Sequence, residues 1–167
     1  MSIDRSIDQE FFDSIILIAS LFNDNGEFLL ITNDYNVYVY GTKICSYLSF
    51  EHDQERPQKV AILNGFEIVQ VDSGDYFVVI LTNDGRVYLA SDDDVWDTKR
   101  TFKLITVSNN DDRFKMIACG ESDFLLLRQD GTVFALGDNG YGQLTGNSDS
   151  SYDTLVNTGL NNVKIIA

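Results

Sequence analysis

Proline, cysteine, histidine and positive charge are all scarce in this 167-residue chain: one proline, two cysteines, one histidine, and 12 Lys and Arg against 26 Asp and Glu. Each scarcity removes a class of protein. A formal charge of -14 repels phosphate backbones and anionic membrane surfaces within a Debye length, and nothing resembles a basic stripe. Neither nucleic acid nor membrane is therefore an expected partner. Cys45 and Cys119 are too few and too far apart for a disulfide scaffold, and no Asn-X-Ser/Thr sequon occurs. A reduced, intracellular setting, cytoplasmic or nuclear, is expected. The lone histidine, His52, sits in the charged run EHDQER without a Cys or Ser beside it, so no histidine-based triad and no metal motif can be assembled. The opening MSIDRSIDQEFFDSIILIAS lacks the basic n-region and cleavage site of a signal peptide, and no apolar run approaches a membrane span.

What is abundant is apolar and aromatic: 44% hydrophobic and 12% Phe, Trp and Tyr, enough for a folded core. Much of it recurs. FLLITNDYNVYVYG from Phe28, VVILTNDGRVYLAS from Val78 and FLLLRQDGTVFALG from Phe124 each read as apolar strand, Asn/Gln-Asp turn and Val-aromatic strand. The turn aspartates Asp34, Asp84 and Asp130 lie 50 and 46 residues apart (84 − 34 and 130 − 84). A second register agrees, since VDSG ends at Gly74 and IACG at Gly120, while Ile166 and Ala167 of the closing VKIIA match Ile117 and Ala118. Periods of this size belong to repeat architectures in which each unit buries its faces against its neighbours.

The turn chemistry predicts two-residue hairpins at Asp84-Gly85 and Asp130-Gly131, because Gly accepts positive φ and Asp hydrogen-bonds its own backbone. Tyr35 stands in place of that Gly in the first copy, which predicts a longer or strained turn there. Val37 and Val39 alternate with Tyr38 and Tyr40, and Val133 and Ala135 with Phe134 and Leu136. Aromatics on both faces predict sheets covered on both sides, as stacked propeller blades are.

GYGQL from Gly140 to Leu144, nine residues after the Asp130-Gly131 turn and after the strand ending in Gly137, resembles the repeat of the regulator of chromosome condensation family; so do IACG and, in the first copy, Pro57 with Val60. The family pattern runs Ala-X-Gly-X-X-His, an apolar strand, Asp-Gly-X-Val-aromatic-X-Trp-Gly, Asn, Gly-Gln-Leu-Gly, then Pro-X-X-Val. The likeness covers Phe28 to the C-terminus. It implies an all-β fold: a partial β-propeller of about three four-stranded antiparallel blades behind a short N-terminal helix. The lead-in occupies 1–22 and the repeats about 23–72, 73–118 and 119–167. The departures are specific. The family histidine is Phe77 and Asp123; its Trp is Tyr40, Ala90 and Leu136. Ser91 replaces a glycine in the middle copy, which continues DDDVWDTK with no Gly-Gln-Leu, and Thr145 takes the last glycine's place with Gly146 one position late.

Candidate sites resolve into architecture. GDNGYGQLTGN lacks the lysine, the spacing and the following helix of a phosphate loop, so its glycines are read as turn residues. Asp92, Asp93, Asp94 and Asp97 offer carboxylates without the central Gly and closing Glu of a calcium loop, and read as a solvated connection. Asn23-Asp24-Asn25-Gly26-Glu27 reads as a polar turn before a strand. Cys45 aligns with Tyr141 in a repeat loop; Cys119, before Gly120, reads as a small buried hydrophobe. Trp96 is either an exposed interaction anchor or a cap over a blade end. No catalytic, cofactor-binding or metal residue is assigned, and no cofactor is expected.

Phe11, Phe12, Ile15, Ile16 and Ala19 form a helical stripe capped by Ser6 or Asp8, expected to dock on the first blade. A similar lead-in precedes the propeller in the subfamily that joins these repeats to a BTB domain. That resemblance implies a non-catalytic module whose face recruits a protein partner, as in a BTB-type ubiquitin-ligase adaptor. The alternatives are a guanine-nucleotide exchange factor for a small GTPase and an inactive truncated product. Three blades cannot close a ring, so the expectation is an N-terminal portion of a longer propeller, or self-association that covers ends lined by VYVYG and VFALG.

Overall fold

The computed structural model describes residues 9–24, 26–51, 56–107, 112–147 and 151–167. His52 and the expected caps Ser6 and Asp8 lie outside the described residues. The three recurrent segments become the central hairpins of three four-stranded antiparallel sheets, each pairing its strands in chain order. The first sheet is β1 (Ile15–Ser20), β2 (Phe28–Thr32), β3 (Val37–Tyr40) and β4 (Gln58–Lys59). The second is β5 (Ile68–Ser73), β6 (Phe77–Thr82), β7 (Val87–Ser91) and β8 (Lys103–Ile105). The third is β9 (Phe114–Cys119), β10 (Asp123–Arg128), β11 (Val133–Gly137) and β12 (Tyr152–Asn157). Three short helices complete the fold: α1 (Gln9–Ser14), α2 (Thr42–Tyr47) and α3 (Asp93–Trp96).

The helical stripe stops earlier than its periodicity predicts. Among the described residues of this stretch Gln9–Ser14 is helical, and Ile15–Ser20 is the first strand, paired with β2 from Ile15↔Thr32 to Ser20↔Phe28. β-branched isoleucines at 15, 16 and 18 favour a pleated strand, and the open edge of β2 supplies the hydrogen bonds. The docking itself is real: the Phe11 ring meets Tyr38 of β3 edge-on at 5.0 Å. Each sheet thus takes its first strand from residues just ahead of its hairpin. All three first strands carry a register shift at the same place, which lifts out Ile16, Val69 and Lys115. The bulge explains why Ile16 and Val69 are half exposed inside apolar strands.

The hairpins also differ from expectation. Thr82 N–H donates to Arg86 O (3.0 Å) and Gly85 N–H to Thr82 O (2.9 Å), which closes a three-residue loop, not a two-residue one. The third loop residue sits at positive φ, 83° at Gly85 and 90° at Gly131. In the first sheet Tyr35 occupies the same slot at φ 57°, so its turn is strained without being longer.

Two cores form, one at each sheet junction. Val37, Val39, Ile44 and Leu63 pack with Val78, Ile80, Tyr88 and Ala90 between the first and second sheets. Phe77, Val79, Leu81 and Leu89 pack with Phe114, Phe124, Phe134 and Leu136 between the second and third. The period-2 alternation of β6 therefore splits its side chains between two neighbours. At the second junction the Gln70 side chain clamps β9, accepting from Ile117 N–H (3.0 Å) and donating to Ile117 O (2.7 Å), while Asp72 accepts from Cys119 N–H (2.9 Å).

The outer faces fit the expectation only in part. Tyr38 and Tyr40 lie half-buried on the first sheet's outer face. In VFALG it is Phe134 and Leu136 that point inward, and the tail crosses the other face, with Val163 N–H donating to Gly131 O (3.1 Å) as Phe114 N–H donates to Gly85 O (2.9 Å). VKIIA thus enters as β9 does.

Candidate functional site

Antiparallel order puts two kinds of loop at opposite rims of the stack. One rim holds the hairpins and the connections between sheets. The other, the loop rim, holds the described residues after the first and third strand of each sheet: 21–24, 26–27 and 41–51, 74–76 and 92–102, 120–122 and 138–147.

At the loop rim of the first sheet, Glu27 turns inward instead of facing solvent. It is buried, and its carboxylate accepts from Lys43 N–H and Ile44 N–H, both at 2.9 Å, at the start of α2. A carboxylate there satisfies orphan helix donors and suits the helix dipole. Gly41 is required beside it, since a Cβ would lie 2.3 Å from Glu27 Oε2. The slot recurs as Asp123 with Gly137, and as Phe77 with Ser91. The polar turn expected at 23–27 therefore hides a capping residue, which no local signal in the sequence distinguishes from a surface acid. In the second sheet Phe77 fills the slot with bulk; the Ser91 hydroxyl is buried without a hydrogen-bond partner, while its N–H and C=O meet Thr98 Oγ1 at 3.3 Å.

GDNGYGQLTGN is a self-contained network. Asn139, fully buried, accepts from Leu144 N–H (2.8 Å) and donates to Asn147 O (2.7 Å) and Thr145 Oγ1 (3.2 Å). Asp138 accepts from Gly140 N–H (3.2 Å) and Ser151 Oγ (3.2 Å), and these donors, Gly140 N–H foremost, hold its carboxyl below the usual range. The segment is a run of turns and bends, with no helix to present N–H groups to a phosphate. It holds Tyr141 outward, 93% exposed.

The other candidates become junction parts. Trp96 caps the second junction, edge-on to Phe77 (4.9 Å) and Phe124 (5.7 Å). Asp92 precedes α3, with its N–H bonded to Tyr76 O (3.0 Å), and Asp97 ends it at φ 33°. Among the described residues no three His, Cys, Asp or Glu side chains gather as a metal cluster. Cys45 is buried and its thiol is pushed up to about 11, first by burial and then by Glu27. Cys119 is half-buried, less covered than a core cysteine; burial, then Asp72, drives its thiol upward. Lys43 Nζ lies 4.3 Å over the Phe22 ring and 5.7 Å from Tyr76, and bonds the Asp75 carbonyl, tying the first two sheets together.

The hairpin rim carries paired charge. Arg86 meets Asp84 at 3.0 Å, and Arg128 meets Asp130 at 2.7 Å and Asp112 at 3.6 Å. Arg128 holds the Asp130 carboxyl far below the usual range. Among the described residues the rims offer surfaces for recognition.

Comparison with known proteins agrees with this architecture. The family model for the regulator of chromosome condensation (RCC1) repeat matches residues 68–94. No curated protein matches the chain. Among solved structures, Prp20p from Saccharomyces cerevisiae, described with its binding properties to Gsp1p and histones, superposes with a TM-score of 0.67 at 17% identity over 87% of this chain and 38% of its own. Human WBSCR16 gives 0.58 at 18% identity over 86% of this chain and 39% of its own. Yeast RCC1 (Prp20) bound to Kap60 gives 0.64 at 18% identity over 86% and 37%. The chain thus spans under two fifths of the length of these structures, and the likeness is one of fold: three blades of an RCC1-like propeller.

Proposed function

We propose that this chain is a non-catalytic protein-interaction module that recruits a protein through its loop rim. The observation that carries this reading is Tyr141, an almost fully exposed aromatic on a loop locked by the Asn139 network. A rigid aromatic presented to solvent is a recognition anchor, since tyrosine is enriched at binding hot spots and loses little entropy on binding. Tyr76 and Val95, half exposed on the same rim, extend the surface. A photo-crosslinking residue at position 141 is expected to capture a protein partner that the same probe at Tyr35, on the hairpin rim, does not. Equal capture at both positions would remove the rim assignment.

The likeness to Prp20p supports a protein partner, and a small GTPase is one class that fits. Exchange activity is the rival reading. A surface assembled from many blades is incomplete in three, so this chain is expected not to accelerate nucleotide release from a small GTPase. Faster release of a fluorescent nucleotide would overturn that. The adaptor role in a BTB-type ubiquitin ligase is suggested by the N-terminal lead-in and by the run IASLFNDNGEFLLITNDYNVYVYG that follows it; of the lead-in, α1 (Gln9–Ser14) lies among the described residues. An intracellular setting, consistent with two free cysteines, belongs to the same proposal.

A further inference from the structure

The three hairpin aspartates are equivalent by register, but among the described residues only Asp84 and Asp130 pair with an arginine. Arg86 pairs with Asp84 at 3.0 Å and lies 5.7 Å over the Phe66 ring, which itself packs on Tyr88 at 5.7 Å. Arg128 pairs with Asp130 at 2.7 Å and lies 4.9 Å over Phe134, which packs edge-on against Phe114 at 6.3 Å. Each finished junction therefore combines a turn carboxylate, an aromatic pair and a guanidinium bound by both. The combination suits a guanidinium, whose flat weakly hydrated face stacks on a ring while its edge donates to a carboxylate.

The outer face of the first sheet repeats two of these three parts. Tyr38 is the counterpart of Tyr88 and Phe134, and Phe11 meets it at 5.0 Å to complete an aromatic pair. Asp34 stands at the turn. Position 36 is asparagine where the second sheet has Arg86, and position 32 is threonine where the third has Arg128. Asp34 is held by neutral donors, the Thr32 hydroxyl and the Asn36 amide. A recess of about 520 Å³ opens there, lined by Phe11, Tyr38 and Asp34 with Glu10 and Asp13, whereas the recess beside Asp84 measures about 230 Å³. Lys59 reaches the area, its Nζ 5.9 Å from the Tyr38 centroid, but a point-charge ammonium leaves the planar slot between ring and carboxylate open.

We infer that this recess is an arginine-binding site, taking the guanidinium of an arginine side chain on a partner protein between the Tyr38 and Phe11 rings and the Asp34 carboxylate. The chain supplies that group from its own sequence at two junctions and leaves it to a partner at the third. The surrounding charge agrees: Asp13 and Asp34 both favour a cation. This inference stands apart from the loop-rim reading, because it concerns the opposite rim, and either holds without the other.

The test is a titration of the 167-residue chain with N-acetyl-Gly-Arg-Gly-amide and its citrulline analogue, followed by backbone amide shifts in NMR spectra. Citrulline keeps the shape and removes the charge. Saturable shifts confined to 10–14 and 32–38 are expected with the arginine peptide, at least tenfold weaker with citrulline. Asp34→Asn and, separately, Tyr38→Leu are expected to weaken binding by a similar factor, with Asp84→Asn as a variant that leaves it unchanged. An unaltered spectrum away from 10–14 and 32–38 establishes that each variant is folded. No shifts, equal shifts from both peptides, or binding indifferent to Asp34→Asn overturns the assignment. Binding that emerges only in Arg5→Ala gives the place to the chain's own Arg5 and overturns the partner assignment too.

Discussion

The second sheet and the first are written in the same pattern, VVILTNDGRVYLAS and FLLITNDYNVYVYG, yet they are buried differently. Every residue of β6 and β7 is buried, whereas β3 alternates, with Val37 and Val39 buried and Tyr38 and Tyr40 half-covered. The residues do not make this difference; the neighbours do. In a stack, each sheet's stability depends on the units at its two sides, so the second sheet, between two neighbours, behaves as core, while the outer face of β3 is half covered. The first sheet compensates with α1, whose Phe11 covers Tyr38.

The largest effect expected from that contrast is at the aromatic centre of the second junction. Phe77 is fully buried against Trp96 and Phe124, so Phe77→Ala should destabilise by about 3 to 5 kcal/mol, the range for emptying a core phenylalanine. Tyr38→Ala, on the half-covered face, should cost about 1 kcal/mol, as partly exposed positions do. Urea denaturation midpoints of the two variants decide the matter. Equal losses would mean that the first sheet is as enclosed as the second.

The hairpins give the next effect. Replacing Asp130-Gly131 by Ala-Ala should cost about 1 to 3 kcal/mol, because a side chain at φ 90° is strained and Asp130 loses the Thr132 N–H it accepts at 2.9 Å. A Cβ at Gly131 would also lie 3.1 Å from Asn162 Cα, so the tail must shift. An unchanged midpoint would show that the tail does not rest on this turn.

The first junction should reveal itself through pH. The folded Cys45 thiol keeps its proton to about pH 11, while an unfolded thiol loses it near 9.0. Folding is therefore unaffected by this group below pH 9, and stability falls as pH rises from there to about 11. Cys45→Ala should flatten that part of the profile. Reaction of the native chain with iodoacetamide at pH 8 should be slow, because little thiolate is present. Rapid labelling of Cys45 would mean that the junction between the first two sheets opens.

Much of this architecture was legible in sequence because its signals are local. The Asp34, Asp84 and Asp130 period gave the blades, and the Val-aromatic alternation gave their two-sided burial. What stayed hidden depends on partners distant in the chain. Ile15–Ser20 carries a helical stripe locally and becomes a strand only because β2 offers its edge. Glu27 looks like a surface acid until α2 folds against it. The arginines at 86 and 128 occupy different positions around their turns, so only the structure shows that both meet a turn aspartate and an aromatic ring, while Thr32 and Asn36 bond Asp34 in the first sheet.

The smallest effect expected is the sharpest test of the repeat. Tyr35 holds the slot that Gly85 and Gly131 fill, at φ 57°, where a bulky residue is strained and glycine is not. Its side chain is 42% exposed, so little packing is lost on removing it. The hydrogen bonds of the turn, Tyr35 N–H to Thr32 O at 2.9 Å and Gly65 N–H to Tyr35 O at 2.9 Å, use backbone alone and survive the change. Glycine also makes the unfolded chain more flexible, which offsets part of the gain. Tyr35→Gly should therefore stabilise the protein by about 0.5 to 1 kcal/mol, the scale of relieving one left-handed residue less that entropy. The matched change Gly85→Tyr should destabilise by more, since a Cβ there would lie 3.0 Å from Phe114 O and 3.1 Å from Arg113 Cα. If Tyr35→Gly lowers the denaturation midpoint instead, the tyrosine makes contacts that its exposure does not reveal, and the first hairpin is no longer the strained copy of the other two.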